Sequence, residues 1–434
     1  MKKRGFIWDA LGTTIFGVIF LWGISKIDIN LDIINPISKT FEDFELTDVV
    51  FSQLRESPPS NPDIVLVNIG TLDRAGIAAE IEIINKYNPK VIGIDAFFRK
   101  PKHSPDPLKD SLLIEGDSAL ARAFKKVKYL VLGCELHENA EQGIIDSVSM
   151  SHPMFTPNSH TAYLDMISEG KNTFKTARHC FLKQKVGDSV ILSFPSLMAK
   201  VYRPESIKKL DKRANETETI NYIGNVNTVT KDGTPNSKIT FTALDVEQVL
   251  SEQFEPDVFK DKVVIMGFMG PNFDTYSTED RFFTPLNADY VGRASEDMFG
   301  VVVHANICAM ILTGDYINEM PKMWSQIVNI ILVFLNILLF TYFYFRLELF
   351  WDGITLIITL VEALLFTTII VYTFDIYDYK LDFTMSTVAL FLMPNIIELY
   401  YGIIKSSELR LRKKYSKTPN KENIVVKPVD DDDE

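Results

Sequence analysis

The chain has 434 residues, a formal net charge of −12 and a pI of about 5.2. That acidic balance excludes a general nucleic-acid binder, which needs a basic surface to neutralise phosphates. Three cysteines, Cys134, Cys180 and Cys308, are too few and too scattered for a disulfide framework or a thiolate metal site. Cys134 ends an apolar run and Cys308 falls in an apolar helical stretch, so buried free thiols are expected.

The first element, "GFIWDALGTTIFGVIFLWGIS", follows the basic "MKKR". No small-x-small cleavage site succeeds it, so residues 5–24 read as an uncleaved membrane anchor with its N-terminus in the cytoplasm. Asp9 lies near the cytoplasmic end, within reach of water.

An α/β pattern follows. "DIVLVNIG" (63–70) is β-rich, "IAAEIEIINKYN" (77–88) is amphipathic at helical spacing, and "KVIGIDAFF" (90–98) is a second buried strand. "DSALARAFKKV" (117–127) predicts a helix with Asp117 as N-cap, and "YLVLGCEL" (129–136) a third strand. Nearly all-apolar strands alternating with helices predict right-handed crossovers and a parallel sheet covered on both faces. Residues 140–240 are less regular. "SHTAYLDMI", "SVILSFPSLMAKVY" and "TETINYIGN" predict a few strands and a helix, while "TVTKDGTPNSKIT" is turn-rich and expected to be exposed. "DKVVIMGF" (261–268) is a strong strand, and "FGVVVHANICAMILTG" (299–314) runs into a helix ending at Gly314. No linker interrupts the region, which reads as one domain.

Three further apolar stretches, 324–345, 354–374 and 385–404, each have the roughly 20 residues that a bilayer core requires. Four crossings return the chain to its starting side. Lys2, Lys3 and Arg4 at one end, and Lys405, Arg410, Arg412, Lys413 and Lys414 at the other, agree with cytoplasmic termini, and the acidic loop "DIYDYKLDF" agrees with an outer position. The expected organisation is a first span over 1–24, an extracytoplasmic domain over 25–323, three spans over 324–404 and a short cytoplasmic tail over 405–434. The fold class is α/β: a three-layer outer domain with a mainly parallel sheet, plus four transmembrane helices, in the inner membrane of a bacterial cell.

The segments "PKVIGIDAFF", "DSALARAF", "KDKVVIMGF", "DRFFTP" and "GVVVHANICAMIL", in this order and followed by membrane helices, resemble the type-two CHASE domain, a cyclase/histidine-kinase-associated sensing extracellular domain. The resemblance covers about residues 40–320 and the flanking spans. Its most specific parts are "GIDAFF" (93–98), "DRFFTP" (280–285) and "VVHAN" (302–306). It implies a sensory input module outside the cell, coupled through membrane helices to a cytoplasmic output. Two departures stand out. The family's usual Trp-Pro pair after the first strand is replaced by "TLDRAGIA", and the inner tail is too short for a kinase or cyclase.

Open parallel sheets bind ligands at the carboxyl ends of their strands. Asp73 follows the first strand, Asp95 ends the second, and Asp280 follows the 261–268 strand, with His304 and Asn306 near by. Together they form a candidate site for a cation or polar ligand. In the competing reading Asp95 caps a turn, Asp280 fixes the "FFTP" loop and His304 is a satisfied core histidine. "GFMGPNF" (267–273) is either an anion-binding loop or a tight turn. There is no glycine-rich phosphate loop, nucleophile elbow or paired histidine at metal spacing, so no enzymatic activity, cofactor or metal is expected.

Inside the spans, Asn336 and Glu362 lie roughly 13 Å from their cytoplasmic ends and Glu398 roughly 9 Å. A carboxylate at that depth is costly unless paired, protonated or facing protein. The three are candidates for one polar layer that locks the helices or docks a partner's helix, with Pro394 breaking the last helix one turn before Glu398. The alternative is that each reaches the interface or a neighbouring span alone. The basic "RLRKKYSK" reads as positive-inside bias more readily than as a lipid-binding patch, and "DDDDE" as a solvated end. The functional expectation is a membrane-anchored sensor with an unknown extracytoplasmic ligand, working through a partner protein. Homodimerisation is an analogy with other sensors. The rivals are a static envelope component and an unrecognised periplasmic enzyme.

Overall fold

The computed structural model of the protein describes residues 3–24, 45–56, 59–139, 144–165, 176–213, 215–287, 295–346 and 351–407. The basic tail beyond Ser407 and the acidic end lie outside them. The chain divides into two compact units. One comprises Ile33–Asn318 with Val371–Lys380, and the other Met1–Asp32, Glu319–Ile370 and Leu381–Glu434.

In chain order the main elements are α1 (Lys3–Ile24), β1 (Ile64–Asn68), α2 (Arg74–Lys86), β2 (Val91–Ile94), α3 (Pro107–Lys126), β3 (Leu130–Asn139), β4 (Ile144–Met150), β5 (Ser159–Tyr163) and α4 (Phe194–Tyr202). They continue with β6 (Thr242–Leu244), α5 (Val246–Leu250), β7 (Val263–Gly267), α6 (Gly300–Thr313), α7 (Lys322–Arg346), α8 (Trp351–Tyr377) and α9 (Thr384–Leu399).

The first unit is built on a seven-stranded sheet in the order β6-β1-β7-β2-β3-β4, with β5 also paired to β3. All pairings are parallel except β3 with β4. β1, β2 and β7 are buried throughout, which is why they read as unbroken apolar runs. Their alternate residues face two cores. Val65, Val67, Ile92, Ile94, Val264 and Met266 pack against α2, α3 and α5. Ile64, Leu66, Val91, Val263 and Ile265 pack against α4 and α6. The expected three layers, helix–sheet–helix, follow from this alternation.

α2 starts at Asp73, whose side chain accepts from Gly76 N at 2.8 Å. α6 is buried on every side from Gly300 to Leu312, as its uniformly apolar sequence requires. It stops at Gly314, whose φ of +74° gives the left-handed cap that glycine adopts without strain.

α3 departs from expectation. It begins ten residues earlier, with Pro107 in its first turn and Asp106 accepting from Leu108 N at 3.0 Å. Asp117 is therefore not an N-cap. It lies inside the helix, 2% exposed, paired with Arg74 at 2.5 Å. The early turns escaped periodicity because Leu108, Leu112 and Ile114 are exposed. "TETINYIGN" supplies only the two-residue strand Glu218–Thr219, and "TVTKDGTPNSKIT" keeps its turns but buries Thr228, Asn236 and Thr240.

In the helical unit, three helices are long and apolar enough to cross a membrane: Lys322–Arg346, Trp351–Tyr377 and Thr384–Lys405. α1 forms as expected, but its apolar run Ile7–Phe20 is shorter. Length and composition thus establish three candidate spans. Ala10, Val333, Ile337, Phe340, Leu390 and Met393 form the unit's core. Asp9 and Lys405 are paired at 2.7 Å. α9 runs through Pro394 to Leu399 and continues as a π-helical turn, Tyr400–Lys405, so this proline does not break the helix.

Candidate functional site

β2 ends at Ile94 and delivers Asp95 to the carboxyl edge of the sheet. Asp95 N donates to Met266 O at 2.8 Å, which extends the ladder to β7 and fixes the residue's position. β7 ends at Gly267. A Cβ there would lie 2.7 Å from Val301 Cγ2 and 3.2 Å from Asp95 Cβ, so glycine is what lets the strand end, Asp95 and α6 converge. β1 and β2 feed helices on one face, α2 and α3, whereas β7 leads to α6 on the other. Such a reversal makes the strand ends the usual ligand position in open α/β sheets.

His304 comes from the second turn of α6 and is 3% exposed. Its Nε2 lies 4.0 Å from Asp95 Oδ1, its ring meets Phe194 edge-on at 5.3 Å, and its buried Nδ1 has no hydrogen-bond partner. Asp280 forms the exposed rim. Its φ is +54°, an uncommon conformation for a non-glycine residue, and its carbonyl accepts from Gly300 N at 2.9 Å. This ties the "DRFFTP" loop to the start of α6.

Burial pushes the Asp95 carboxyl up to about 7 and the His304 imidazole down to about 4, because both ionised forms lose water. Lost hydration on its inner side, and then the nearby Asp95 charge, also raise Asp280. At neutral pH the imidazole is uncharged and the two carboxyls compete for the right to ionise.

The structure thus brings Asp95 and His304 together, holds Asp280 at the start of α6 within range of the Asp95 charge, and assigns other work to the remaining two candidates. Asp73 caps α2. Asn306 is fully buried and satisfied: Oδ1 accepts from Ile223 N and Gly224 N at 2.8 and 3.2 Å, and Nδ2 donates to Gly224 O and Val302 O at 2.9 Å each. The rest of "DRFFTP" is a brace. Arg281 stacks over Phe299 at 4.2 Å and donates to Val229 O at 3.0 Å, while Thr284 donates through N and Oγ1 to Asp297.

Sequence reasoning missed Asn68 and Asp245. Asn68 Nδ2 donates to Asp245 Oδ1 at 2.8 Å and to Gly270 O at 3.0 Å. The "GFMGPNF" loop spends Met269 N on Asn68 Oδ1 and Phe273 N on Asp245 Oδ2, so it is a braced turn that faces a carboxylate, poorly suited to an anion. The one available signal was an asparagine ending an otherwise apolar strand.

The membrane candidates are not joined by any hydrogen bond among the described residues. Glu398 Oε1 accepts from Trp351 Nε1 at 3.0 Å. Glu362 has a buried carboxyl oxygen without a partner, and Asn336 is buried in α7. The better-connected polar group lies elsewhere in the unit. Asn329 Oδ1 accepts from Ser386 N and Oγ at 2.8 and 2.6 Å, and its Nδ2 donates to Ser325 O and Asp382 O at 2.8 Å each. The three cysteines are free and buried. Among the described residues no group of three or more His, Cys, Asp and Glu side chains is placed to hold a metal ion.

The chain thus joins a two-faced α/β domain to three helices of membrane length. The CHASE2 domain family matches residues 34–341, so the chain belongs to the CHASE2 family, whose domains are sensory and extracellular. No curated protein and no solved structure matches the chain.

Proposed function

We propose that this protein is a membrane-anchored extracytoplasmic sensor that passes its response through its membrane helices to a partner protein, without catalysis of its own. The observation that carries this reading is the path of α8. The helix is long and apolar enough to cross a membrane, yet its last residues and the following loop, Val371–Lys380, fold as part of the α/β unit. Phe374 is fully buried there, its ring edge-on to Phe51 at 5.4 Å, and Lys380 pairs with Glu45 at 2.6 Å. A change in the α/β unit has a covalent route into a helix of membrane length. Transmission then requires that a ligand bind two arrangements of that helix with different affinity.

Four crossings, an inner-membrane location and cytoplasmic termini belong to the same proposal. The Asp9–Lys405 pair supports an even number of crossings, since it sets the start of α1 and the end of the last helix side by side. Purification in mild detergent, with identification of co-purifying proteins, tests the reading. A specific membrane or cytoplasmic partner is expected, and repeated recovery of the protein alone would remove the idea.

The second reading, a static envelope scaffold, is favoured by one feature. Leu108 and Leu112 are 72% and 61% exposed on α3, an apolar stretch suited to assembly. Loss of the partner on Leu112→Glu, with no effect of mutating the strand-end site, would support it.

A further inference from the structure

The strand-end cluster has a geometry that selects among ligand chemistries. Asp95 Oδ1 and His304 Nε2 are 4.0 Å apart, too far for a direct hydrogen bond. They are also too far for adjacent positions on a divalent metal: two bonds of about 2.1 Å at right angles place the ligand atoms roughly 3.0 Å apart. Two hydrogen bonds of about 2.8 Å that meet at one nitrogen at roughly 90° span the observed distance. The occupant that fits is one atom that donates two hydrogen bonds.

Its charge follows from the surroundings. Asp95 has a side chain 14% exposed and no hydrogen bond from its carboxyl among the described residues. The imidazole beside it is neutral, and a second carboxyl, Asp280, stands at the exposed rim. Phe194, against the His304 ring, and Val301, beside Gly267 and Asp95, carry no charge. Among the described residues no cation pairs with Asp95 or Asp280, and the buried His304 turns Nε2 toward Asp95 at 4.0 Å with no hydrogen bond between them. We propose that Asp95, Asp280 and His304 form a receptor for a small ammonium group, with Asp95 and His304 accepting two of its N–H bonds and Asp280 supplying the second negative charge. The inference rests on the sensory reading and specifies the chemical class of what is sensed.

Binding ionises Asp95, so it releases a proton. Affinity should rise about tenfold per pH unit below the Asp95 midpoint and level off above it. The test uses the full-length protein in detergent, titrated calorimetrically with methylammonium and ethanolammonium, and with tetramethylammonium and ethylene glycol as probes lacking N–H bonds or charge. Saturable binding of the first pair, absent for the second, is expected, with at least a tenfold loss in Asp95→Asn and a smaller loss in Asp280→Asn. Equal response to tetramethylammonium, or to the neutral diol, overturns the proposal, as does no binding at millimolar concentration. Where Asp95→Asn fails to fold, the pH profile of the unmodified protein decides: affinity independent of pH between 5 and 8 overturns it. If ammonium ions fail to bind while a partner still co-purifies, the ligand class alone is wrong. If they bind and no partner exists, the signalling route is wrong.

Discussion

Arg55 and Asp378 are 323 residues apart in the chain and form an ion pair within the α/β unit. Arg55 also donates to Asn221 Oδ1 at 2.7 Å and lies over the rings of Phe51 and Phe374 at 4.7 and 5.1 Å. It therefore joins the segment that follows the first helix to the segment that ends α8. Arg55→Ala removes all four contacts and should cost about 2 kcal/mol. Hydrogen exchange should accelerate in 371–380 before it does in the sheet. Asp378→Asn should cost less than about 1 kcal/mol, because that carboxylate is 43% exposed. Equal exchange rates in Arg55→Ala and the parent protein would show that the joint carries no load.

The buried pair Arg74–Asp117 links α2 to α3, and Asp117 Oδ2 also accepts from Lys102 N at 2.9 Å. Asp117→Ala leaves a guanidinium buried without its counter-charge, and a loss of about 3–4 kcal/mol is expected in denaturant unfolding. A loss under about 1 kcal/mol would mean that Arg74 finds water or another acceptor.

Glu80 is fully buried in α2 and both its carboxyl oxygens lack partners. Burial, and then the nearby Asp245 charge, push its carboxyl up to about 8. An acid whose folded value is raised binds its proton more tightly in the folded state. Its contribution is fully present below about 4.5 and is lost as pH rises toward 8, at about 1.4 kcal/mol per pH unit. Glu80→Met should flatten that slope and stabilise the protein most at alkaline pH, as read from melting temperature across pH 5–9. An unchanged slope would assign the effect to other groups.

In the helical unit, Asn329 links α7 to α9 through Ser386 and the backbone of Asp382. Hydrogen bonds in a membrane contribute about 0.6 kcal/mol each, rarely above 1.7. Asn329→Leu should therefore cost about 2 kcal/mol in detergent unfolding. Ser386→Ala, which removes the hydroxyl but keeps the backbone donor, should cost less than half of that.

Glu398 and Trp351 give a sharper contrast. Glu398→Gln keeps a carbonyl oxygen for the indole N–H, whereas Glu398→Leu leaves that donor unpaired. Near-normal assembly of the first and loss of thermal stability in the second are expected. Equal behaviour of the two would deny the bond a structural role.

Sheet strands and the three membrane-length helices were legible because their signals are local. "IVLVN" and "VVIMG" are apolar along their whole length since each is covered on both faces, and such runs announce themselves without knowledge of partners. The start of α3 was not legible, because its first turns expose leucines that a periodicity argument expects to be covered. Asp73 and Asn306 were credible site residues by position along the chain. Asp73 was nevertheless required to cap a helix, and Asn306 to satisfy the backbone of a loop some eighty residues away.

From its residues alone, this chain prescribes a two-faced α/β domain, membrane-length helices and the short list of acids and imidazole at the strand ends. Folding settled that Asp95 and His304 lie near one another, that Val371–Lys380 belongs to the α/β unit, and that Glu80 has no hydrogen-bond partner among the described residues. Hydrophobic period is written into neighbouring residues, whereas hydration and hydrogen bonding depend on groups brought together from distant positions.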